Sequence, residues 1–161
     1  MTTSFNFNIL EDYQNGGGPA WGSTPATLRA NISTTDQSGA TGATVFDLNG
    51  DGYAEILYRD MTTLRVFDAN LNVISSINCT SGTATEYPVV ADIDADGETE
   101  FICPCDAGLQ AYRSQNLPWI RARSIWNQYT YFVANVHDDG SIPRQQQLHH
   151  IVGDSVIMNN F

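Results

Sequence analysis

Two nine-residue stretches hold the side chains best suited to chemistry in this chain. They are Asp47-Leu48-Asn49-Gly50-Asp51-Gly52-Tyr53-Ala54-Glu55 and Asp92-Ile93-Asp94-Ala95-Asp96-Gly97-Glu98-Thr99-Glu100. Both read D-x-[DN]-x-D-G-x-x-E. Oxygen donors at positions one, three and five fold inward around one centre, and the Gly at position six supplies a positive φ. The backbone carbonyl of position seven and the carboxylate of position nine complete the shell. Oxygen-only donors select Ca²⁺ over transition metals. The expected ligands are therefore Asp47, Asn49, Asp51, Tyr53 (through its carbonyl) and Glu55 for one ion. For a second ion they are Asp92, Asp94, Asp96, Glu98 (through its carbonyl) and Glu100. Asp, Asn and Gly are also ordinary turn formers, but that accounts for one such loop, not for two with the same pattern. The second loop places four carboxylates in ligand positions and the first places three plus Asn49, so the second is expected to bind more tightly.

The flanking residues define the elements that must hold these loops. Thr44-Val45-Phe46 before the first loop and Ile56-Leu57-Tyr58 after it are β-branched and aromatic runs, so each loop caps a β-hairpin. A helix–loop–helix calcium hand would need a bidentate Glu at position twelve, where this chain has Tyr58 and Cys103. The loops begin 45 residues apart, and the match extends past them without a gap. Val45 aligns with Val90, Ile56 with Phe101, Leu64 with Leu109, Val66 with Ala111, and Phe67 with Tyr112. A period of this length with short strands predicts an all-β fold of two four-stranded, propeller-blade-like repeats. Strands are expected near 43–46, 54–58, 64–68 and 72–77 in the first unit. In the second they are expected near 88–91, 100–104 and 109–113, after which the pattern decays. The organisation is an N-terminal arm and linker over 1–38, repeat 1 over 39–83, repeat 2 over 84–128, and a C-terminal extension over 129–161. Asn116 is placed to cap a short helix with Trp119, Ala122 and Trp126 on one face, docking on the sheet as core.

The two loops set in a ~45-residue β unit resemble the FG-GAP/VCBS repeats of integrin-α-type β-propellers, common in bacterial surface proteins. The resemblance covers about residues 40–113, where loop and strand phase both match. It implies the same calcium ligands, position by position, as the spacing does. Phe-Gly and Gly-Ala-Pro signatures are absent, which places the chain with the looser VCBS branch. The stretch Trp119-Ile120-Arg121-Ala122-Arg123-Ser124-Ile125-Trp126-Asn127-Gln128-Tyr129, followed by Asp138-Asp139-Gly140-Ser141-Ile142-Pro143-Arg144, resembles the region after such repeats in large adhesin-like or gliding-associated surface proteins.

Composition narrows the function classes. A chain of 161 residues is long enough for one domain that buries about two-thirds of its unfolded surface. Its net charge is −11 and all seven basic residues are Arg. Eight of the eighteen acids lie in the two loops, so two Ca²⁺ ions would bring the net charge from −11 to about −7. There is no basic patch for nucleic acid and no apolar run long enough to span a membrane. No signal peptide is visible at Met1, and loops of this type fill at the millimolar Ca²⁺ outside cells. Cys79, Cys103 and Cys105 permit one bridge from Cys79 or buried free thiols. A zinc site would need a second Cys pair. Asn31-Ile32-Ser33 and Asn78-Cys79-Thr80 are glycosylation acceptor sequons. The three histidines, two of them adjacent at His149-His150, form no catalytic constellation, and no nucleophile elbow or phosphate loop is present, so no enzymatic activity is expected.

Two repeats fall short of the ~4 blades that close a propeller. The expectation is an incomplete or open propeller whose missing part comes from other copies or from the remaining blades of a longer chain. Ser4-Phe5-Asn6-Phe7-Asn8-Ile9-Leu10 alternates like a strand and precedes the Asn15-Gly16-Gly17-Gly18-Pro19 joint. It is therefore either an arm for another subunit's sheet or a strand that packs on its own domain. The resulting reading is a calcium-stabilised extracellular adhesion or filament domain at the cell surface. The alternative is a glycan- or protein-binding, lectin-like fragment that uses exposed aromatics such as Trp21 or Tyr131.

Overall fold

A computed structural model describes residues 6–11, 27–145, 151–152 and 155–156 of the chain. The Asn15–Pro19 joint, Trp21 and His149-His150 lie outside the described residues. The fold is all-β. One antiparallel sheet runs in the order β3 (Ala43–Phe46), β4 (Glu55–Arg59), β5 (Thr63–Phe67) and β6 (Val73–Asn78). A second contains β7 (Val89–Ala91), β8 (Glu100–Cys105) and β9 (Gly108–Tyr112). Two further hairpins pair β1 (Asn6–Glu11) with β2 (Thr27–Ser33), and β10 (Ile151–Val152) with β11 (Ser155–Val156). The N-terminal strand thus pairs within its own chain. The second sheet has three strands among the described residues rather than the four expected, because after Tyr112 the chain leaves the sheet edge instead of turning back along it.

The two sheets stack in a specific sense. Cross-strand pairing aligns Thr44, Leu57 and Val66, and Arg59 with Leu64, on one face of the first sheet; Ile56 and Phe67 share the other. In the second sheet Val90, Phe101 and Tyr112 share a face with Cys103 and Cys105. Leu57, Leu64 and Val66 join Val90, Phe101, Cys103 and Cys105 in one core cluster. Under the 45-residue offset, Phe101 and Tyr112 correspond to Ile56 and Phe67, on the opposite face from Leu57. The back of one unit therefore packs on the front of the next, a head-to-tail arrangement. Strands β3 and β7 lie side by side where the sheets approach, and the Thr44 hydroxyl donates to the Pro88 carbonyl there.

One buried charge reinforces the same seam and a second braces the first sheet. Arg59 is fully buried and donates to the carbonyls of Asp60 and Gly82 and to Glu86, at 2.5 Å. Asp60, also fully buried, accepts from Arg65 at 2.7 Å and from the N–H groups of Thr35, Thr62 and Thr63. Burial alone would raise the Asp60 carboxyl, but Arg65 and these N–H donors outweigh it and hold it well below the usual carboxylate range. The chain end of β6 is fastened to β8 by a Cys79–Cys105 disulfide, and Cys103 remains a buried free thiol.

The short helix expected after the second repeat does not form. Residues 114–126 run as an extended strap instead. Its polar groups are spent sideways: Ile120 N–H donates to the Leu48 carbonyl at 3.0 Å, Ala122 N–H to the Thr99 hydroxyl at 2.7 Å, and the Arg123 carbonyl accepts from Asp92 N–H at 3.1 Å. These groups are therefore unavailable to an i→i−4 ladder, and Pro118 further disfavours helical backbone at Leu117. The aromatic docking expected of the helix is performed by the strap: Trp119 stacks on Phe101 with centroids 5.3 Å apart, and Ala122 is buried in the core. Arg123 then gathers the C-terminal extension, donating to Asp138 and to the carbonyls of Val133 and Val136. Among the described residues no helix is long and apolar enough to cross a membrane.

The stacking makes equivalent residues energetically unlike. Leu64 is fully buried while its counterpart Leu109 is 74% exposed. Leu64→Ala should cost about 3 kcal/mol, and Leu109→Ala should stay within about 0.5 kcal/mol of the parent. Thermal melts of the two variants read the difference directly; equal losses would contradict the front-on-back packing.

Candidate metal centres

The two acidic loops adopt the same hydrogen-bonded frame. In the first, Asp47 accepts from the N–H groups of Gly50 (2.7 Å) and Gly52 (3.0 Å), Asn49 from Asp51 (2.8 Å), and Asp51 from Tyr53 (2.8 Å). In the second, Asp92 accepts from Gly97 (3.3 Å), Asp94 from Asp96 (3.2 Å) and Asp96 from Glu98 (2.8 Å). The base of each loop is closed by the carboxylate of position nine. Glu55 accepts from Leu48 N–H at 2.8 Å, and Glu100 from Ile93 N–H at 3.1 Å. Backbone bonds thus occupy oxygens of the acidic side chains and orient the remainder within each loop.

Burial divides the expected ligands into two sets. Asp47, Glu55, Asp92 and Glu100 are buried at the loop bases. Asn49, Asp51, Tyr53, Asp94 and Asp96 are exposed at the tips, and Glu98 is half-buried. In the second loop Asp92 Oδ1 and Glu100 Oε1 are buried without any hydrogen-bond partner. One oxygen each from Asp92, Asp94 and Glu100 lies within 4.8 Å of the others. Buried carboxylate oxygens without donors are costly unless a cation or proton meets them, so the donor set fits a hard divalent ion. In the first loop, burial raises the Glu55 carboxyl above its ordinary range. The N–H of Leu48 opposes this, and the negative charges of Asp51 and Asp47 add to it. The exposed Arg113–Asp96 pair, at 3.7 Å, contributes little charge relief.

The backbone places its own demands on residue type at two positions of each loop. Gly52 and Gly97 at position six sit at φ +87° and +91°, as the spacing requires. Position four is also left-handed, with Gly50 at +76° and Ala95 at +61°. The motif does not reveal this second site, because one copy carries Ala. The strap adds a constraint at Gly50 alone, where a Cβ would lie 2.9 Å from Ile120 Cγ2. Thr99, buried between loop and strap, donates to the Ile120 carbonyl and accepts from Ala122 N–H. The strap therefore spans both loops, through Leu48 in one and Asp92 in the other. This bridging role had no signal in the spacing of either motif.

No family model matches the chain, so the FG-GAP/VCBS resemblance rests on the residues themselves. No curated protein matches it either. Among solved structures, the chain is similar to the crystal structure of the Vibrio cholerae biofilm matrix protein Bap1. The TM-score is 0.70 and the identity 32%, covering 76% of this chain and 22% of that one. The chain thus spans about a fifth of the length of the protein it matches.

The left-handed positions generate opposite outcomes in the two loops. Ala95→Gly relieves a left-handed Cβ costing about 1–2 kcal/mol, against the ~0.5–1 kcal/mol of extra freedom that Gly has in the unfolded chain. It should therefore stabilise by between zero and about 1.5 kcal/mol. Gly50→Ala meets both the backbone penalty and Ile120, and should destabilise by about 2 kcal/mol or more. Urea unfolding in EDTA compares the two without a metal contribution; loss of stability in Ala95→Gly would refute the backbone argument.

Proposed function

We propose that the chain is a calcium-stabilised structural module of an extracellular adhesion protein, built from two propeller-blade-like repeats. The observation that carries the adhesion reading is the 32% identity and shared fold with part of a biofilm matrix protein. The Cys79–Cys105 bridge supports an oxidising, extracellular setting. Head-to-tail stacking with β3 beside β7 supports a blade arrangement, because each unit presents to a neighbour the face that the next unit buries. The exposed Leu109 and the unpaired edge of β9 among the described residues are where a further unit would continue the stack. The partner in this reading is the rest of a longer chain or further copies of this one, joined as an adhesin or a self-assembling filament. No catalytic role is assigned.

Calcium enters on the orphaned oxygens of Asp92 and Glu100 and on the repeated frame of Asp47, Asn49, Asp51 and Glu55. A divalent ion would relieve repulsion among carboxylates that the fold forces together and hold each hairpin tip closed; it performs no bond chemistry. A second reading, a glycan- or protein-binding surface, is favoured by one observation. A groove of about 640 Å³ is lined by Trp126, Tyr131, Ser124 and Arg121, and Arg121 makes no hydrogen bond or ion pair among the described residues.

Two measurements test these readings. A site filled at a hundred times its Kd contributes about 2.7 kcal/mol. EDTA should therefore lower the Tm by roughly 5–10 °C per site. Calorimetric titration should show two Ca²⁺ sites, the tighter lost in Glu100→Gln and the weaker in Glu55→Gln; an unchanged Tm in EDTA would remove the metal from the account. Negative-stain microscopy should show rings or fibres in calcium. Monomers that instead bind a glycan array would favour the groove reading.

A further inference from the structure

Beside its disulfide the second sheet holds a free thiol, Cys103, that neither the loops nor the adhesion reading uses. Cys103 and Cys105 are two residues apart on β8 and share a face, and Cys79 lies against both. Cys79 is bonded to Cys105, yet its sulfur is only 4.0 Å from the Cys103 sulfur, and all three sulfurs lie within 4.8 Å of one another. Cys103 is fully buried, so no external oxidant or thiol reaches it in the folded chain. The disulfide beside it is the reaction partner within its reach.

We propose that Cys103 is an internal nucleophile for the Cys79–Cys105 bridge, so that Cys79 pairs in turn with either cysteine of β8. With all three sulfurs within 4.8 Å of one another, the Cys103 sulfur lies beside the Cys79–Cys105 bond rather than in line with it. The Cys103 thiol therefore gives its proton to hydroxide and its side chain turns into line before the thiolate sulfur attacks the Cys79 sulfur. A Cys79–Cys103 bond forms as the Cys79–Cys105 bond breaks. The electron pair leaves on Cys105, which takes a proton from water. One disulfide and one thiol are present before and after, so no oxidant or reductant is consumed. Direct pairing of Cys103 with Cys105 is disfavoured, since two residues of strand separate their Cα atoms by about 6.6 Å, the upper end of disulfide reach. The exchange moves the tether of the β6 end by two residues along β8. It also transfers the free thiol from a position with no exposure to Cys105, which is 9% exposed.

The environment makes the exchange slow and base-dependent. Burial pushes the Cys103 thiol up to about 11, opposed by the Arg59 guanidinium on β4 and reinforced by Glu86; Tyr112 on β9 also faces it. The thiolate is then about one part in a thousand at pH 8, and the rate should rise nearly tenfold per pH unit.

The test incubates the full chain under argon between pH 7 and 10, quenches it in acid, and alkylates it with N-ethylmaleimide in acidic denaturant. Tandem mass spectrometry then locates the label on Cys103 or Cys105. A label that shifts from Cys103 to Cys105 with time, about tenfold faster at pH 9 than at pH 8, is the expected result. A label that stays on Cys103 up to pH 10, in protein whose circular dichroism is unchanged, overturns the proposal. Cys105→Ser gives an independent reading: a Cys79–Cys103 bridge is expected, and two free thiols in the folded variant would also overturn it. Should that variant fail to fold, the wild-type label position decides alone.

Discussion

Each loop closes by burying two carboxylates side by side, Asp47 with Glu55 and Asp92 with Glu100. The remaining features of the hairpin tips follow from that crowding. Like charges cannot be held together out of water without compensation, and the chain supplies part of it through backbone N–H groups aimed at the carboxylates. The compensation is incomplete in the second loop, where two buried oxygens have no donor. A divalent cation is the simplest species that would satisfy both at once, and its binding energy would then add to the folding energy.

The loops are held apart from the sheets' own cohesion by a simple division of labour. The sheets cohere through aliphatic and aromatic burial, with Leu57, Leu64 and Val66 of one against Phe101, Val90 and Cys103 of the other. The strap over residues 119–123 then ties the two tips through single hydrogen bonds to Leu48, Thr99 and Asp92. Leu48 lies next to Asp47, and Asp92 opens the second loop, so the strap is anchored at the base of both acidic loops.

Head-to-tail stacking has a consequence for assembly. An isologous pair of sheets would bury equivalent faces, whereas front-on-back packing buries unlike ones, and on the far face of the first sheet Tyr58 and Phe67 are buried as well. The second sheet exposes Leu109 and Ala111 at positions where the first buries Leu64 and Val66. The three-stranded sheet also ends on β9, whose outer edge no described strand covers.

Local spacing determined a good deal of this protein. Alternation at Thr44–Phe46 and Ile56–Tyr58, the turn chemistry of Asp68 and the 45-residue offset set the strands and their phase, because these depend on neighbours a few residues away. The position-six glycines were legible for the same reason. Tertiary contacts decided the rest. The strap took the place of a helix because Leu48, Thr99 and Asp92 compete for its polar groups from far along the chain. Cys79 chose between two cysteines by the placement of β6 against β8. Arg59 and Asp60 became core residues only when partners from other strands surrounded them, and Gly50 became irreplaceable only where Ile120 crosses it. Such outcomes depend on which surfaces meet in space, and residue type and spacing do not encode that locally.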